Sequence, residues 1–278
     1  MLDAVRHPAL RAARQRADAL LGQLEADCRA IERDLAAVVT VAVGGSLGRR
    51  EASVDSDLDC IVVVADDAEP GRIRSAFAAL DGVFARLPLR AAKGYGIYRT
   101  PVTRATLLDP AAIGRLDEAP AVFGKRFGLL LDARPVFRHA AGHALQRDVV
   151  DWYARDFLEQ DAAASWTYLL NDLARYLHAY ASWQQFKFDR SHDDSWELRQ
   201  AKFRTSRVLS FAALLFLLGV SNGWPHKRTW LCEQLALTPL ERLRLVMAQH
   251  DPAAFDALLD AYESGFAALS DPAVRAAL

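Results

Sequence analysis

At 278 residues the chain can hold one large domain or two modest ones, and its 52% hydrophobic content supplies a substantial core. Thirty-four basic against 35 acidic residues leave a formal charge of −1, which argues against a dedicated nucleic-acid coat but allows a local basic groove. Cys28, Cys60 and Cys232 are too widely spaced for a disulfide framework or a metal knuckle, so a reducing, cytoplasmic setting is expected.

The chain begins charged, with no uninterrupted apolar stretch of the kind a signal peptide needs. From residue 8 to 37, Leu10, Ala13, Ala17, Leu20, Leu21, Leu24, Cys28, Ile31 and Leu35 recur every three or four positions, which predicts an amphipathic helix. The period then changes. AVVTVAVG from Ala37 and LDCIVVVA from Leu58 read as buried strands separated by a Gly-Gly turn. Pro70-Gly71 opens a helix to about Leu87, and AAKGYGIYRTPVTRATLL predicts one or two further strands or a hairpin. From Pro110 nearly everything reads as helix: 121–134 ending at Pro135, Ala144 to Phe188 with a break near Gln160-Asp161, and Ser195 to Leu218 closing on Gly219. Asp251-Pro252 and Asp271-Pro272 each read as an N-cap followed by proline in the first turn. The most apolar run, Val208 to Val220, is shorter than the roughly 20 residues a bilayer requires, and no membrane partner is expected. The expected layout is an α+β half over residues 1–140, a small mixed sheet with helices on one face, followed by an all-α helical bundle over 141–278.

The chemistry concentrates in VAVGGSLGRREASVDSDLDCIVVV, residues 41–64. On a strand, Asp57 and Asp59 project from one side, about 6–7 Å apart along the chain, while Leu58 and Cys60 face the core. Two carboxylates that close repel unless a cation joins them, and hard oxygen pairs suit Mg²⁺ or Mn²⁺ shared with substrate phosphates. Gly44 and Gly45 permit close backbone approach, the amides near Ser46 to Gly48 can meet an anion, and Arg49 adds positive charge. Such a phosphate cradle beside a metal-binding acid pair points to phosphoryl or nucleotidyl transfer.

Gly45-Ser46, ten residues, then Asp57-Leu58-Asp59 before an apolar strand resembles the signature of the DNA polymerase beta-type nucleotidyltransferase superfamily. Gly48-Arg49-Arg50-Glu51, Ser56-Asp57-Leu58-Asp59 and Leu131-Asp132-Ala133-Arg134-Pro135 look most like the PII-uridylyltransferase branch and its uncharacterised relatives. Those relatives usually carry glycine where this chain has Arg50, a departure that bears on substrate preference and leaves the metal site intact. The resemblance implies an α+β nucleotidyltransferase core, with metal at Asp57 and Asp59 and a nucleoside triphosphate against Gly45, Ser46 and Arg49. It further implies a third carboxylate on a neighbouring strand, for which Asp109 is the first candidate and Asp117 the second. Asp109 also precedes Pro110 and has a plain alternative role as a helix cap.

In the helical half, Arg199, Lys202 and Ser206 share one face, flanked by Arg204 and Arg207, and Asn171, Asp172 and Arg175 cluster on the preceding helix. The simple account is an interhelical salt bridge from Asp172 to Arg199 or Arg175. The functional account, which the resemblance favours, is that Lys202 and Arg199 close over the triphosphate. His139 and His143 lack the glutamate of a zinc-hydrolase helix and read as surface residues. Trp183, Phe186, Phe188 and Trp196 read as core and loop cover.

The expected function is therefore metal-dependent transfer of a nucleoside monophosphate to an acceptor hydroxyl, on protein, RNA or a small molecule, with pyrophosphate released. Two rivals stand beside it. One is an aminoglycoside-type antibiotic nucleotidyltransferase. The other is a catalytically silent module binding nucleotide or a partner, such as a toxin–antitoxin component. The phosphohydrolase and ligand-sensing domains of full-length uridylyltransferases find no counterpart in these residues, which argues against PII as the acceptor.

Overall fold

The computed structural model describes residues 2–90, 98, 100–115, 117–154, 166–191 and 196–278. The expected break near Gln160-Asp161, Ser195 and most of the segment before Tyr98 lie outside them, as do the side chains of 187–191.

The elements, in chain order, are α1 (Pro8–Ala30), β1 (Val38–Val43), the single turn α2 (Gly45–Gly48), β2 (Cys60–Val64) and α3 (Pro70–Phe84). Next come β3 (Val102–Thr103), the short α4 (Arg104–Leu107), α5 (Pro120–Leu131), β4 (Arg134–Phe137), α6 (His139–Ala154) and α7 (Thr167–Ser191). A continuous helix, α8 (Trp196–Ser221), has a π-helical turn at Phe203–Arg207. It precedes α9 (Lys227–Gln234), α10 (Pro239–Met247), α11 (Pro252–Ser270) and α12 (Pro272–Ala277). Proline opens α1, α3, α5, α10, α11 and α12, where its missing N–H costs nothing. Asp251 and Asp271 cap the last two helices as their Asp-Pro pairs predict.

The sheet has the order β3-β2-β1-β4, with β2 and β4 antiparallel to β1 and β3 parallel to β2. A small mixed sheet with many helices is what the sequence leads one to expect, but three details differ. Residues 134–137, which begin at the last residue of the expected helix 121–134 and run past its stop at Pro135, form edge strand β4, and Pro135 is tolerated there because an edge strand can forgo a ladder donor. Residues 104–107 are helical, so only Val102–Thr103 of the expected hairpin is strand among the described residues. Helices cover both faces of the sheet, not one.

The reason for the last difference is in the strands themselves. β2 is buried at all five positions, and a strand with no polar face needs cover on both sides. Val41, Val43, Val62 and Val64 pack against α1 and α3, while Ala42, Ile61 and Val63 pack against α5, α6, α7 and α8. That second core runs unbroken across residue 140, from Ile61 to Leu145, Phe211 and Leu231. A third cluster joins Leu10 of α1 to Leu209, Leu243, Phe255 and Leu259, bringing the first helix against α8, α10 and α11.

Taken whole, α8 spans 26 residues and is long and apolar enough, by length and composition, to cross a bilayer. Its apolar half, Val208–Ser221, turns Leu209, Phe211, Ala213, Leu214, Leu217 and Leu218 into the core, and its first half carries Arg199, Lys202, Arg204 and Arg207. Trp183 and Phe186, expected to cover core, are each about half exposed and stack on one another at 5.6 Å.

Candidate functional site

Asp57 and Asp59 immediately precede β2, an inner strand, and the expected alternation holds: Leu58 and Cys60 are buried, Asp57 is exposed and Asp59 is partly exposed. The pair therefore stands at a strand end rather than on a sheet edge. The Gly44 N–H donates to the Asp59 carbonyl at 2.8 Å, tying the glycine turn to the acid pair. Gly45 has φ +64°, and a Cβ there would lie 2.8 Å from Asp59 Oδ2. Gly48 has no more room, since a Cβ would meet the Asp132 carbonyl at 2.3 Å. Both glycines are required by space, and Gly45 by backbone angle as well. Ser46 is half-buried, and its hydroxyl donates to Ser56 Oγ at 2.8 Å. Arg50 adopts φ +61°, where glycine is unstrained, and its side chain leaves the site to pair with Asp18 on α1.

Asp132, at the end of α5, is the further carboxylate that lies against the glycine turn. Its Oδ1 accepts the Gly45 N–H at 3.3 Å and its Oδ2 accepts Arg49 Nη1 at 2.8 Å. The buried Arg242 fixes this position by donating to the Leu130 and Leu131 carbonyls at 2.8 and 2.7 Å, satisfying the last turn of α5 from outside. Asp109 instead accepts the Ala111 N–H within an exposed turn, its carbonyl bonded by Trp152 Nε1. Asp117 is exposed and pairs with Arg115 at 2.6 Å. The only signal for Asp132 was its place in the Leu131–Pro135 stretch.

Arg49 is not available as an open phosphate contact. It is buried, donating from Nε to Glu51 at 2.9 Å and from Nη1 to Asp132. Burial opposes its charge, but Glu51 and Asp132 more than offset this and raise its pKa. Glu51 is also raised, by burial, above the usual carboxylate range, despite Arg49 and the Tyr262 hydroxyl at 2.9 Å. Asp59 is raised to about 6, first by burial and then by the like charge of Asp57, with Arg207 opposing.

Two sets of cations face the acids. Arg207, in the π-turn of α8, stands 4.0 Å from Asp59 Oδ2 and 4.0 Å from Asp132 Oδ2, with its guanidinium over the Tyr180 ring. On the Asp57 side, Asp55 holds two arginines, Arg90 on Oδ1 and Arg275 on Oδ2, the latter at 3.1 Å. Lys202, exposed on α8, has its pKa lowered by desolvation of its ammonium and then by Arg275, while Asp57 opposes. Arg199 is half-buried two turns from the π-helical arginine. The expected partner choice for Asp172 resolves to Arg175, at 2.6 Å, with the Tyr153 hydroxyl on its other oxygen at 3.0 Å.

The donor set suits a hard divalent cation. Asp57 is open, Asp59 carries a charge its surroundings disfavour, and Gly45 leaves a cradle beside Asp59 Oδ2 that any side chain would fill. Among the described residues no three His, Cys, Asp or Glu side chains converge in ligating geometry, so two carboxylates would need substrate oxygens to complete a shell. Compared with known proteins, the chain matches no family model, no curated relative and no solved structure.

Proposed function

We propose that the protein is a metal-dependent nucleotidyltransferase, moving a nucleoside monophosphate from a nucleoside triphosphate to an acceptor hydroxyl. The observation that carries this reading is the acid pair at the end of β2, set against a glycine turn with no space for a side chain and ringed by cations from distant segments. Asp57 and Asp59 would hold Mg²⁺ or Mn²⁺, which supplies Lewis-acid polarisation of the α-phosphate and neutralises charge on the departing pyrophosphate.

The remaining work falls to the chain's own groups. Arg90 and Arg275, both held on Asp55 beside the acid pair, and Lys202 on α8 would supply positive charge for the β- and γ-phosphates. Gly45 would keep the backbone close enough for the reacting phosphate to approach Asp59, while Gly48 lets the turn pack against the Asp132 and Val43 carbonyls. Asp132 has one oxygen on the Gly45 amide and the other on Arg49, so it positions the turn. Ser46 and Ser56 brace the two sides of the loop through their hydroxyl contact.

Incubation with each α-labelled nucleoside triphosphate and Mg²⁺ or Mn²⁺ tests the reading, with label sought on protein, RNA and small molecules. Transfer should occur with at least one nucleotide and vanish in the Asp57→Asn/Asp59→Asn double variant. Full transfer by a folded double variant would refute the site.

A further inference from the structure

Arg207 lies with its guanidinium over the Tyr180 ring and faces two carboxylates without a hydrogen bond to either. Its guanidinium lies 4.0 Å from one oxygen of Asp59 and 4.0 Å from one oxygen of Asp132, outside hydrogen-bond distance of either. Its side chain is 30% exposed, whereas Asp132 beneath it is 7% exposed. Asp132 already has Arg49 at 2.8 Å and does not need a second cation. Among the described residues Asp59 has no cation nearer than Arg207, and it shares its neighbourhood with the like charge of Asp57. The residue reaches this point because α8 makes a π-turn over Phe203–Arg207, a local departure that costs regular hydrogen-bond geometry and commonly marks functional positions.

We infer that Arg207 is the resident counter-ion of Asp59 and competes with the divalent cation for that carboxylate, so that the cation binds well only when an anion draws the guanidinium away. This rests on the proposed nucleotidyl-transfer site and adds its regulation: metal and triphosphate bind cooperatively, because each removes a penalty the other faces. Thermodynamic linkage makes that coupling reciprocal. A guanidinium facing Asp59 weakens cation binding to the free protein, and the triphosphate supplies both ligands for the cation and a partner for Arg207. The arrangement would limit futile metal loading without nucleotide.

The test measures Mn²⁺ binding to the full chain by electron paramagnetic resonance at pH 8, with Mn²⁺ alone. Arg207→Gln should bind Mn²⁺ roughly five- to ten-fold more tightly than the unmodified protein, within the usual range of site–site coupling. Adding Asp59→Asn should erase the gain. Arg207→Lys keeps a charge but loses reach and the planar fork, and should fall between the two. In Arg207→Ala, millimolar methylguanidinium should weaken Mn²⁺ binding again. Equal or weaker Mn²⁺ binding by folded Arg207→Gln would overturn the inference. Should that variant not fold, Arg207→Lys binding no tighter than the unmodified protein would do so. If Mn²⁺ binding is present and strengthened by a nucleoside triphosphate yet indifferent to residue 207, only the counter-ion role fails. No Mn²⁺ binding with any nucleoside triphosphate, in any variant, overturns the nucleotidyl-transfer reading and this inference with it.

Discussion

Replacing Arg49 with methionine separates two roles for that residue, because the side chain keeps its bulk and loses its charge. In the folded protein Arg49 neutralises Glu51, 4% exposed, and Asp132, 7% exposed. Glu51 would keep only the Tyr262 hydroxyl on Oε2, and its Oε1 is already buried without a hydrogen-bond partner. Breaking a buried pair by removing one member typically costs about 3–5 kcal/mol, most of it the stranded charge. The Gly45 amide and the more distant Arg207 soften this at Asp132, so a loss of about 3 kcal/mol is expected. Without Arg49, the folded-state pKa of Glu51 rises further above its unfolded value. Stability of the variant is then lost as pH rises, and the gap to the unmodified protein widens from pH 5 to pH 8. Urea unfolding followed by tryptophan fluorescence at both pH values measures the gap. Adding Glu51→Gln should recover part of the loss, giving a favourable coupling in the double-mutant cycle. A stable Arg49→Met variant with weakened nucleotide affinity would refute the reasoning and return Arg49 to the phosphate role its sequence position suggests.

Three further outcomes are expected. Gly45→Ala should cost roughly 1–2 kcal/mol from its positive φ and should also abolish transfer, because the new Cβ would displace Asp59; a melting curve and the transfer assay check both effects. Lys202→Ala should weaken nucleotide binding about ten-fold while hardly moving the melting temperature, whereas lost stability with unchanged affinity would remove Lys202 from the site. In EDTA, Asp59, with a folded pKa of about 6 above an unfolded value near 3.8, binds more protons folded than unfolded between those values. Stability contributed by its neutral form is thus lost as pH rises from about 4 to 6, and Asp59→Asn should flatten that fall; an unchanged pH profile would contradict the assigned burial.

The acid pair was legible in the sequence because everything that defines it is local. A glycine turn, a spacing and a period-2 pattern fix which way Asp57 and Asp59 face, and Leu58 and Cys60 are buried as that pattern requires. Asp132 was not, because its place depends on β4 pairing with β1 about ninety residues earlier in the chain, through a four-residue strand containing proline. Pro135 reads as a helix stop equally well, and nothing within that window says otherwise. Arg207 was hidden for a different reason. A helical wheel drawn at 3.6 residues per turn groups Arg199, Lys202 and Ser206, but the π-turn adds one residue and rotates the later part of the helix by about 100°. Arg207 thereby meets Asp59 from a position the wheel treats as flanking.

Contacts of α11 and α12 connect the N-terminal helix with this site. Tyr262 on α11 bonds Glu51, and the next residue, Glu263, accepts the Ala9 and Leu10 amides at 2.7 and 3.0 Å, capping α1 from another helix. Asp260, one turn earlier, holds Arg6 and His7, and Arg275 on α12 reaches back to Asp55 beside the acid pair. One face of α11 therefore ties the N-terminal helix to the buried charges behind the glycine turn, and α12 supplies part of the positive charge in front of it. A group of charges this dense is costly to assemble, because each must be desolvated and like charges lie side by side. Packing of Leu10 against Phe255 and Leu259 offsets part of that cost far from the acids, where apolar contact interferes with no chemistry. The helical segments after residue 140 are thus structural partners of the acid site, and the Tyr262 contact to Glu51, together with Arg207 and Arg275, arrives only when those segments are folded onto the sheet.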